Sequence, residues 1–436
     1  MKKVLILTYY WPPAGGAGVQ RWLKFVKYLR DFGWEPVVYT AENGEMPVID
    51  TSLIKDVPEG VEVLKRPIWE PYRIYKWFSG RKKEDKINAS FLNENKTPGL
   101  TEKISVWIRG NFFIPDARVF WIRPSVRFLK MYISENNIQY IISSGPPHSM
   151  HLIALQLKNA SQHLKWIADF RDPWTNIDFY PKLMLSSFAD RKHKQLEAQV
   201  LLKSDVVLSI GQHMSEEFKS IYLSRGGNEP DKFKVITNGY DEEDVLAKDQ
   251  KKDETFSLAH IGTLVKDRNP EGLWKVLGKL VKENAEFGSK LEIKLVGKVD
   301  LFVKERIAAY QLNTYVKYID YLPHNEVIRE QQRSSVLLLL VNNTPNAKGI
   351  LTGKFFEYMA SGSPVLAIGP EDGELAGILS ETECGLISDF VDEKKLEKHL
   401  LYFYGHPEHR PNSQKIKHYS RKALTGQLSA VLNSMK

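Results

Sequence analysis

Short apolar strands alternate with helical patterns along the whole chain, and this alternation is the feature that most constrains its fold. KVLILTYY, residues 3–10, and FSLAHIG, residues 256–262, are apolar runs that suit buried strands. Each leads into a glycine-containing turn and then a helical pattern. Because parallel strands need a crossover, usually a helix, the pattern predicts parallel α/β units. Its appearance in both halves predicts two Rossmann-like, doubly wound domains.

The length of the chain, 436 residues, also allows two domains of ordinary size. We expect a first domain over residues 1–210 and a second over residues 211–411. An insertion rich in aromatic and basic side chains is expected within the first domain, over residues 45–135.

Residues 351–370, LTGKFFEYMASGSPVLAIGP, combine a helix, a glycine turn and an apolar strand. Gly353, after Thr352, stands at the expected helix start, where free backbone N–H groups carry partial positive charge and favour phosphate. Lys354 adds a cation there, and Glu357 lies about one turn further on, where it can accept hydrogen bonds from hydroxyls. Phosphate beside a diol describes a nucleotide sugar, and an ordinary helix–glycine–strand link is the alternative.

This stretch resembles the nucleotide-sugar site of retaining glycosyltransferases of the GT-B fold, family 4. In that family a Glu, seven further residues and a second Glu precede an A-x-G-x-P-V strand. Glu357 matches the second Glu, and the strand pattern is matched by Ala360, Gly362, Pro364 and Val365. Gly349, beside Lys348, stands where the family has the first Glu, whose carboxylate is generally placed against the donor sugar.

The resemblance implies two Rossmann-like domains facing across a cleft, with a C-terminal helix within residues 412–436 that returns to the first domain. It implies a metal-independent enzyme that moves a sugar from a nucleotide diphosphate sugar to a glycan or lipid-linked acceptor, with retention of anomeric configuration and no cofactor. Because the first Glu is missing, two alternatives stay open: a non-catalytic nucleotide-sugar-binding protein and a nucleotide-sugar epimerase of the same fold.

A second candidate phosphate site follows the strand FSLAHIG. Gly262 permits close approach of a ligand to the backbone, and Arg268 can direct two N–H groups at phosphate oxygens. The family commonly has cations where Thr263 and Arg268 stand, so one cation is missing, and Lys266 or Lys354 could replace it. A surface loop with incidental charge is the alternative.

The nucleotide base is expected at the end of another strand of the second domain. Tyr321 follows the apolar run VKYI and could stack on a base, with Leu322 beside it. The resemblance implies that backbone groups at this edge hold the base.

In the first domain, Gly15 and Gly16 follow the first strand and could approach the donor phosphates, as the Gly-Gly loop of family 4 does. A G-x-G-x-x-G dinucleotide fingerprint is the rival, but Arg21 occupies the position of its third glycine. A tight turn with no ligand is the other alternative.

Two further residues of the first domain are candidates for catalysis. His148 follows Ser-Ser-Gly-Pro-Pro in the first turn of an expected helix, where it could donate to a sugar or leaving-group oxygen. Asp172 lies in Asp-Phe-Arg-Asp-Pro-Trp at the end of a strand, where α/β proteins bind ligands, and could orient the acceptor hydroxyl. In the same stretch, Asp169 and Arg171 could instead form a structural ion pair.

Composition limits the remaining classes of function. The formal charge of +8 is mild for this length and does not indicate nucleic acid. The single cysteine excludes an internal disulfide and suits the cytoplasm. No spacing of metal ligands appears, and no apolar stretch approaches the roughly 20 residues that span a bilayer.

Basic and aromatic residues are interleaved over residues 65–133. This composition suits peripheral contact with an anionic membrane, such as the inner face of the plasma membrane, and a lipopolysaccharide or capsule acceptor. A buried aromatic segment whose arginines reach the solvent is the alternative.

Overall fold

The structure, a computed structural model, describes residues 1–46, 48–70, 100–245 and 250–435. They form two compact units. The first unit comprises Met1–Thr237 and Leu424–Lys436, and the second comprises Asn238–Ala423. The first unit extends beyond the expected boundary at residue 210, because a strand that begins at Phe233 pairs within its sheet. Residues 71–99 of the expected insertion lie outside the described residues.

Within the described residues, seven parallel strands form the sheet of the first unit, in the order β3-β2-β1-β4-β5-β6-β7. These strands are β1 (Lys2–Leu7), β2 (Trp34–Ala41), β3 (Glu62–Arg66), β4 (Tyr140–Gly145), β5 (Lys165–Phe170), β6 (Val206–Ser209) and β7 (Phe233–Val235). The helices are α1 (Ala17–Leu29), α2 (Leu100–Phe112), α3 (Ile122–Glu135), α4 (Ser149–Ala160), α5 (Ser187–Lys203) and α6 (Gln212–Ser224).

The sheet of the first unit has an apolar core on each face. Leu5 and Leu7 of β1 belong to one buried cluster, while Val4 and Ile6 belong to the other. Successive side chains of a strand point to opposite faces, so a strand covered on both sides is apolar throughout. This explains why β1 is a continuous apolar run rather than an alternating one.

The second unit has a sheet of six parallel strands in the order β10-β9-β8-β11-β12-β13. These are β8 (Phe256–Ile261), β9 (Leu291–Val296), β10 (Val316–Ile319), β11 (Val336–Leu340), β12 (Val365–Ile368) and β13 (Gly385–Ser388). The described helices are α7 (Glu242–Val245), α8 (Glu271–Glu283), α9 (Ala285–Lys290), α10 (Leu301–Ala309), α11 (His324–Arg333), α12 (Gly353–Ala360), α13 (Glu374–Thr382), α14 (Glu393–Gly405) and α15 (Ser413–Ile416).

The C-terminal helix, α16 (Arg421–Ser434), belongs to the first unit from Leu424 onward. Leu424, Leu428 and Leu432 recur at helical spacing and lie in the same buried cluster as Val4. Each unit thus consists of one parallel sheet and its helices, which confirms the prediction of two Rossmann-like domains.

Candidate functional site

In the second unit, the end of β8 and the helix α12 are tied together, and this brings most of the predicted donor-binding residues to one place. The backbone N–H of Ile261, the last residue of β8, donates to the Tyr358 hydroxyl of α12 at 2.9 Å. Gly262 follows with φ +132°, a conformation that side chains other than glycine rarely adopt. The chain therefore leaves the strand directly beside the first turn of α12.

Lys354 lies against Gly262. A Cβ atom placed on Gly262 would come 2.0 Å from the Lys354 Nζ atom, so a side chain at this position would displace the ammonium group. Burial lowers the pKa of Lys354, the positive charge of Arg268 lowers it further, and the Glu357 carboxylate opposes both. These interactions place Arg268, Lys354 and Glu357 in one electrostatic neighbourhood, as the sequence predicted.

The position of Arg268 is set by a residue that the sequence analysis missed. Its Nε–H donates to the Asn342 Oδ1 atom at 2.7 Å. Asn342 directly follows the strand β11 and the buried Val341, so a polar side chain at a strand end was the available signal. An amide oxygen takes up one N–H of the guanidinium without neutralising its charge.

The buried His260 lies near these cations. Its Nδ1 atom is 3.0 Å from the Leu338 carbonyl, which can only accept, so Nδ1 carries the proton. Burial lowers the pKa of His260 to about 4, and the nearby Lys354 contributes to the shift. The imidazole is therefore neutral at pH 7, and the positive charge of this site comes from Arg268 and Lys354.

The start of α12 is open. A Cβ atom on Gly353 would meet no other heavy atom within 4 Å. The Thr352 Oγ1 atom at the N-cap is buried and has no hydrogen-bond partner in the described part of the chain. Glu357, one turn further on, is exposed. Free N–H groups, a hydroxyl, an ammonium group and a carboxylate thus stand within one turn of a helix.

Four other positions of the second unit are less closely tied to this group. Thr263 is exposed beside Gly262. Tyr321 follows β10 and is 87% exposed, whereas Leu322 packs partly against the core. Gly349 stands at the place of the missing first Glu, and the neighbouring Lys348 pairs with the Asp372 carboxylate at 2.5 Å.

In the first unit, the two glycines after β1 differ in their surroundings. A Cβ atom on Gly15 would come 2.9 Å from the Asp50 Cβ atom, and the Gly15 N–H donates to the Val48 carbonyl at 2.9 Å. Gly16 has φ +88° and open space around it, directly before α1. Gly15 therefore serves close packing within the turn, and Gly16 is the glycine that a ligand could approach.

His148 is the N-cap of α4 rather than a residue of its first turn. Its ring stacks on Trp174, with centroids 4.5 Å apart and planes 1° from parallel. Burial and the neighbouring His151, His193 and Arg171 lower its pKa well below the ordinary value. The imidazole is neutral and held in one orientation.

The first turn of α4 is also fixed by a hydrogen-bonded chain that ends at His151. The Trp166 indole N–H donates to the Ser143 Oγ atom at 2.9 Å, and that oxygen is 2.8 Å from His151 Nδ1. The Ser143 hydroxyl can donate its own hydrogen to Nδ1, which leaves the His151 proton on Nε2. His151 Nε2 and His148 Nδ1 would both lie within 3.0 Å of a Cβ atom at Gly145, so both imidazoles require glycine there.

Asp169 is a structural residue, but its partner is not the expected one. Its carboxylate is fully buried and accepts from Arg21 at 2.8 Å, from the Trp22 indole at 2.8 Å and from the Ser144 hydroxyl at 2.9 Å. Burial would raise the pKa of Asp169, but Arg21 and the hydrogen bonds outweigh burial and hold the pKa below its ordinary value. The alternative of a pair with Arg171 is wrong in its partner, because Arg21 of α1 occupies the site. A charged residue on the buried face of α1 was the overlooked signal.

The neighbouring Arg171 is held by backbone carbonyls. Its guanidinium donates to the Gly18 carbonyl at 2.7 Å and to the Pro146 carbonyl. It thereby joins the start of α1 to the turn after β4. Asp172, the next residue, is exposed, but the surrounding protein raises the pKa of its carboxyl by desolvation, and the Arg171 guanidinium opposes this shift.

Asp116 is another residue near the candidate site that no sequence pattern indicated. Its carboxylate accepts from the Ser149 N–H at 2.9 Å and from the Ser149 hydroxyl at 2.8 Å. An acceptor at a helix N-terminus satisfies free N–H groups and suits the helix dipole. Asp116 thus anchors the first turn of α4, next to His148.

Among the residues that the structure describes, no group of three or more His, Cys, Asp or Glu side chains could hold a metal ion. None of the described helices is long and apolar enough to span a membrane.

Residues 241–423 match the family model described as glycosyl transferases group 1. This match covers nearly the whole second unit. The chain has the GT-B fold of glycosyltransferases. The match and the parallel sheets confirm the resemblance at the level of the GT-B fold, while family 4 and the envelope-glycan type stay predictions.

Solved structures with the same fold match over the full length of the chain. A glycosyltransferase from Rickettsia africae ESF-5 has a TM-score of 0.62 and 12% identity, covering 100% of this chain and 99% of that one. Sucrose-phosphate synthase from Thermosynechococcus elongatus has a TM-score of 0.59 and 13% identity, covering 100% and 99%. A structure described as trehalose-6-phosphate from E. coli bound with UDP-2-fluoro glucose has a TM-score of 0.58 and 9% identity, covering 100% of both chains. A comparison with curated protein sequences gives no match.

Proposed function

We propose that this protein is a retaining, metal-independent glycosyltransferase that moves a sugar from a nucleotide diphosphate sugar to a glycan or lipid-linked acceptor. The observation that carries the proposal is the convergence of Arg268 and Lys354 on the open start of α12. Two cations beside free helix N–H groups suit a diphosphate.

The chemistry of transfer favours such an arrangement. As the bond to the sugar breaks, negative charge grows on the departing diphosphate. Positive groups held in fixed positions stabilise this charge more than they stabilise the intact donor, which lowers the barrier. Lys354 is only partly exposed and Arg268 is held by Asn342, so both can act without large rearrangement. Glu357 is exposed at a distance of one turn, where it would accept hydrogen bonds from ribose hydroxyls.

The second part of the proposal concerns the roles of His148 and Asp172 in the first unit. His148 is neutral and stacked on Trp174, and in this proposal it donates a hydrogen bond to an oxygen of the transferred sugar. Asp172 is exposed and would orient the acceptor hydroxyl. Retention is assigned to attack on the face from which the diphosphate leaves, with no covalent intermediate on the protein. The site is proposed to act in the cytoplasm, on an envelope glycan such as lipopolysaccharide or capsule.

A screen of UDP-, GDP- and ADP-sugars by thermal shift tests donor binding first, because a ligand that binds only the folded state raises the melting temperature. We expect one nucleotide series to stabilise the protein with EDTA present. Donor consumption and anomeric configuration of the product, followed by NMR with candidate acceptors, then test transfer. Absence of any shift would contradict a donor site.

The same assay separates the two alternatives. Binding without turnover by any acceptor would favour a non-catalytic nucleotide-sugar-binding protein, which agrees with Gly349 and Thr263 in place of family residues. Conversion of the donor sugar in the absence of acceptor would favour an epimerase.

A further inference from the structure

The helix α2 of the first unit exposes an apolar face. Ile104, Trp107, Ile108 and Phe112 follow helical spacing, and each is between 41% and 68% exposed. Residues spaced by three or four lie on the same side of a helix. The other side packs on the protein, since a Cβ atom at Gly110 would come within 2.9 Å of Leu183 and Leu185. The exposed face is therefore the outer side of a docked helix.

Aromatic contacts extend this face to the start of α3. Phe120 is half exposed, and its ring is 5.0 Å from that of Trp69 and 6.0 Å from that of Phe113. At the end of α2, Trp107 and Phe112 are 5.7 Å apart. Isolated exposed apolar side chains are ordinary, but a contiguous group of large ones marks an interaction surface.

The charge of this region is mainly positive. Residues 100–135 contain six basic residues and three acidic ones: Glu102, Glu135 and Asp116, whose carboxylate is bonded to Ser149. On α3, three basic side chains follow Phe120 along one exposed stripe: Arg123, Arg127 and Lys130. Lys103 is exposed on α2. A partner must therefore accept large apolar side chains and also carry negative charge.

We propose that the α2–α3 surface, formed by Ile104, Trp107, Ile108, Phe112, Phe120, Arg123, Arg127 and Lys130, docks onto an anionic lipid bilayer. Interfacial helices bury an apolar face at the boundary between headgroups and acyl chains, while basic residues attract anionic headgroups. A nucleic acid or an acidic protein surface would complement the positive charge, but it would place the aliphatic side chains of Ile104 and Ile108 against polar groups. The lipid surface satisfies both requirements.

The experiment is co-sedimentation of the full chain with sucrose-loaded vesicles, and it needs neither donor nor acceptor. Vesicles of equal parts phosphatidylcholine and phosphatidylglycerol are compared with vesicles of phosphatidylcholine alone, at low and high ionic strength. We expect binding to the anionic vesicles at low ionic strength and a marked loss in high salt, because screening weakens the electrostatic part. No binding to anionic vesicles would overturn the proposal.

Two variants locate the surface. We expect Trp107→Ser/Phe112→Ser and Arg123→Glu/Arg127→Glu/Lys130→Glu each to weaken vesicle binding by at least about tenfold. The matched controls lie in the second unit: Leu301→Ser/Val391→Ser removes two exposed apolar side chains, and Lys394→Glu/Lys398→Glu reverses two exposed charges. Both controls should bind as the unaltered protein does, and a melting curve of each variant checks folding.

Three results would contradict the proposal. Equal binding by the surface variants and the controls would place the contact elsewhere. If binding is lost only in variants that no longer melt cooperatively, the sedimentation experiment is repeated with the milder variants Trp107→Tyr and Arg123→Gln. Unchanged binding of both would overturn the proposal. Retention on heparin without binding to anionic vesicles would indicate an acidic polymer instead of lipid.

Discussion

The polar residues at the carboxyl ends of the two sheets are used differently. In the first unit, the buried Asp169 carboxylate accepts from three side chains, and Arg171 donates to two backbone carbonyls. In the second unit, the start of α12 keeps Gly353 open and Glu357 exposed. A charged residue at a strand end is thus not a ligand-binding residue by position alone. Its hydrogen-bond partners within the protein decide between structure and binding.

The comparison predicts its largest effect at Asp169. Asp169→Asn leaves the buried Arg21 guanidinium without its counter-charge, and we expect a loss of about 3–5 kcal/mol in the free energy of unfolding. Urea unfolding measures this loss, and failure to fold would be its extreme. The control is Asp178→Asn, nine residues further along the chain, which should change stability by no more than about 0.5 kcal/mol because Asp178 is exposed. Equal losses for both would contradict the structural role of Asp169.

The second prediction concerns the cations of the second unit. Lys354→Ala removes a charged donor from the proposed diphosphate site, and we expect binding of the preferred nucleoside diphosphate to weaken about 10- to 100-fold. Titration calorimetry measures this change. Lys348→Ala is the matched control, because Lys348 is exposed and paired with Asp372. If the Lys348 variant loses affinity and the Lys354 variant does not, the phosphate lies elsewhere.

Local sequence patterns predicted what depends on local structure. The strand β8, Gly262 and the start of α12 follow from apolar runs and glycine positions, and the structure shows them together. The partner of Asp169 could not be predicted in this way. Arg21 reaches it because α1 packs over the sheet next to β5, and a contact between residues so far apart in the chain is set by strand order.

The C-terminal boundary of the main segment of the first unit could not be predicted from the sequence for a related reason. β7 has three residues, and its short run gives little sign of which sheet it joins. Pairing with β6 decides that, and it moves the boundary to Thr237. The contact between Asn342 and Arg268 could not be predicted from the sequence for the same reason, since the two residues lie on different loops.

The third prediction compares the buried histidines of the two units. Burial lowers the pKa of His151 to about 3, and burial together with Lys354 lowers that of His260 to about 4. In the unfolded chain both pKa values are near 6.5. As the pH falls below 6.5 the unfolded chain takes up protons first, so stability is lost from pH 6.5 down to about pH 4 for His260 and about pH 3 for His151. Each histidine contributes at most about 1.4 kcal/mol per pH unit.

Urea unfolding at several pH values between 7 and about 4.5 tests this pH dependence. His151→Gln and His260→Gln should each lessen the loss of stability on acidification, even where they lower stability at pH 7. His213→Gln is the control, because its side chain is 45% exposed. Identical pH dependence in all three variants would mean that the two buried histidines titrate normally.

The smallest expected effect on stability is at Gly353, and it separates binding from folding most directly. A Cβ atom there meets nothing within 4 Å, and alanine favours helix more than glycine does, so Gly353→Ala should leave stability unchanged or raise it by up to about 1 kcal/mol. A phosphate held by the first N–H groups of α12 would meet the added methyl group, so nucleotide affinity should fall. Gly377→Ala, in the middle of α13 and equally unobstructed, should give the same stability gain without loss of affinity. Unchanged affinity in both variants would show that the donor does not approach the start of α12.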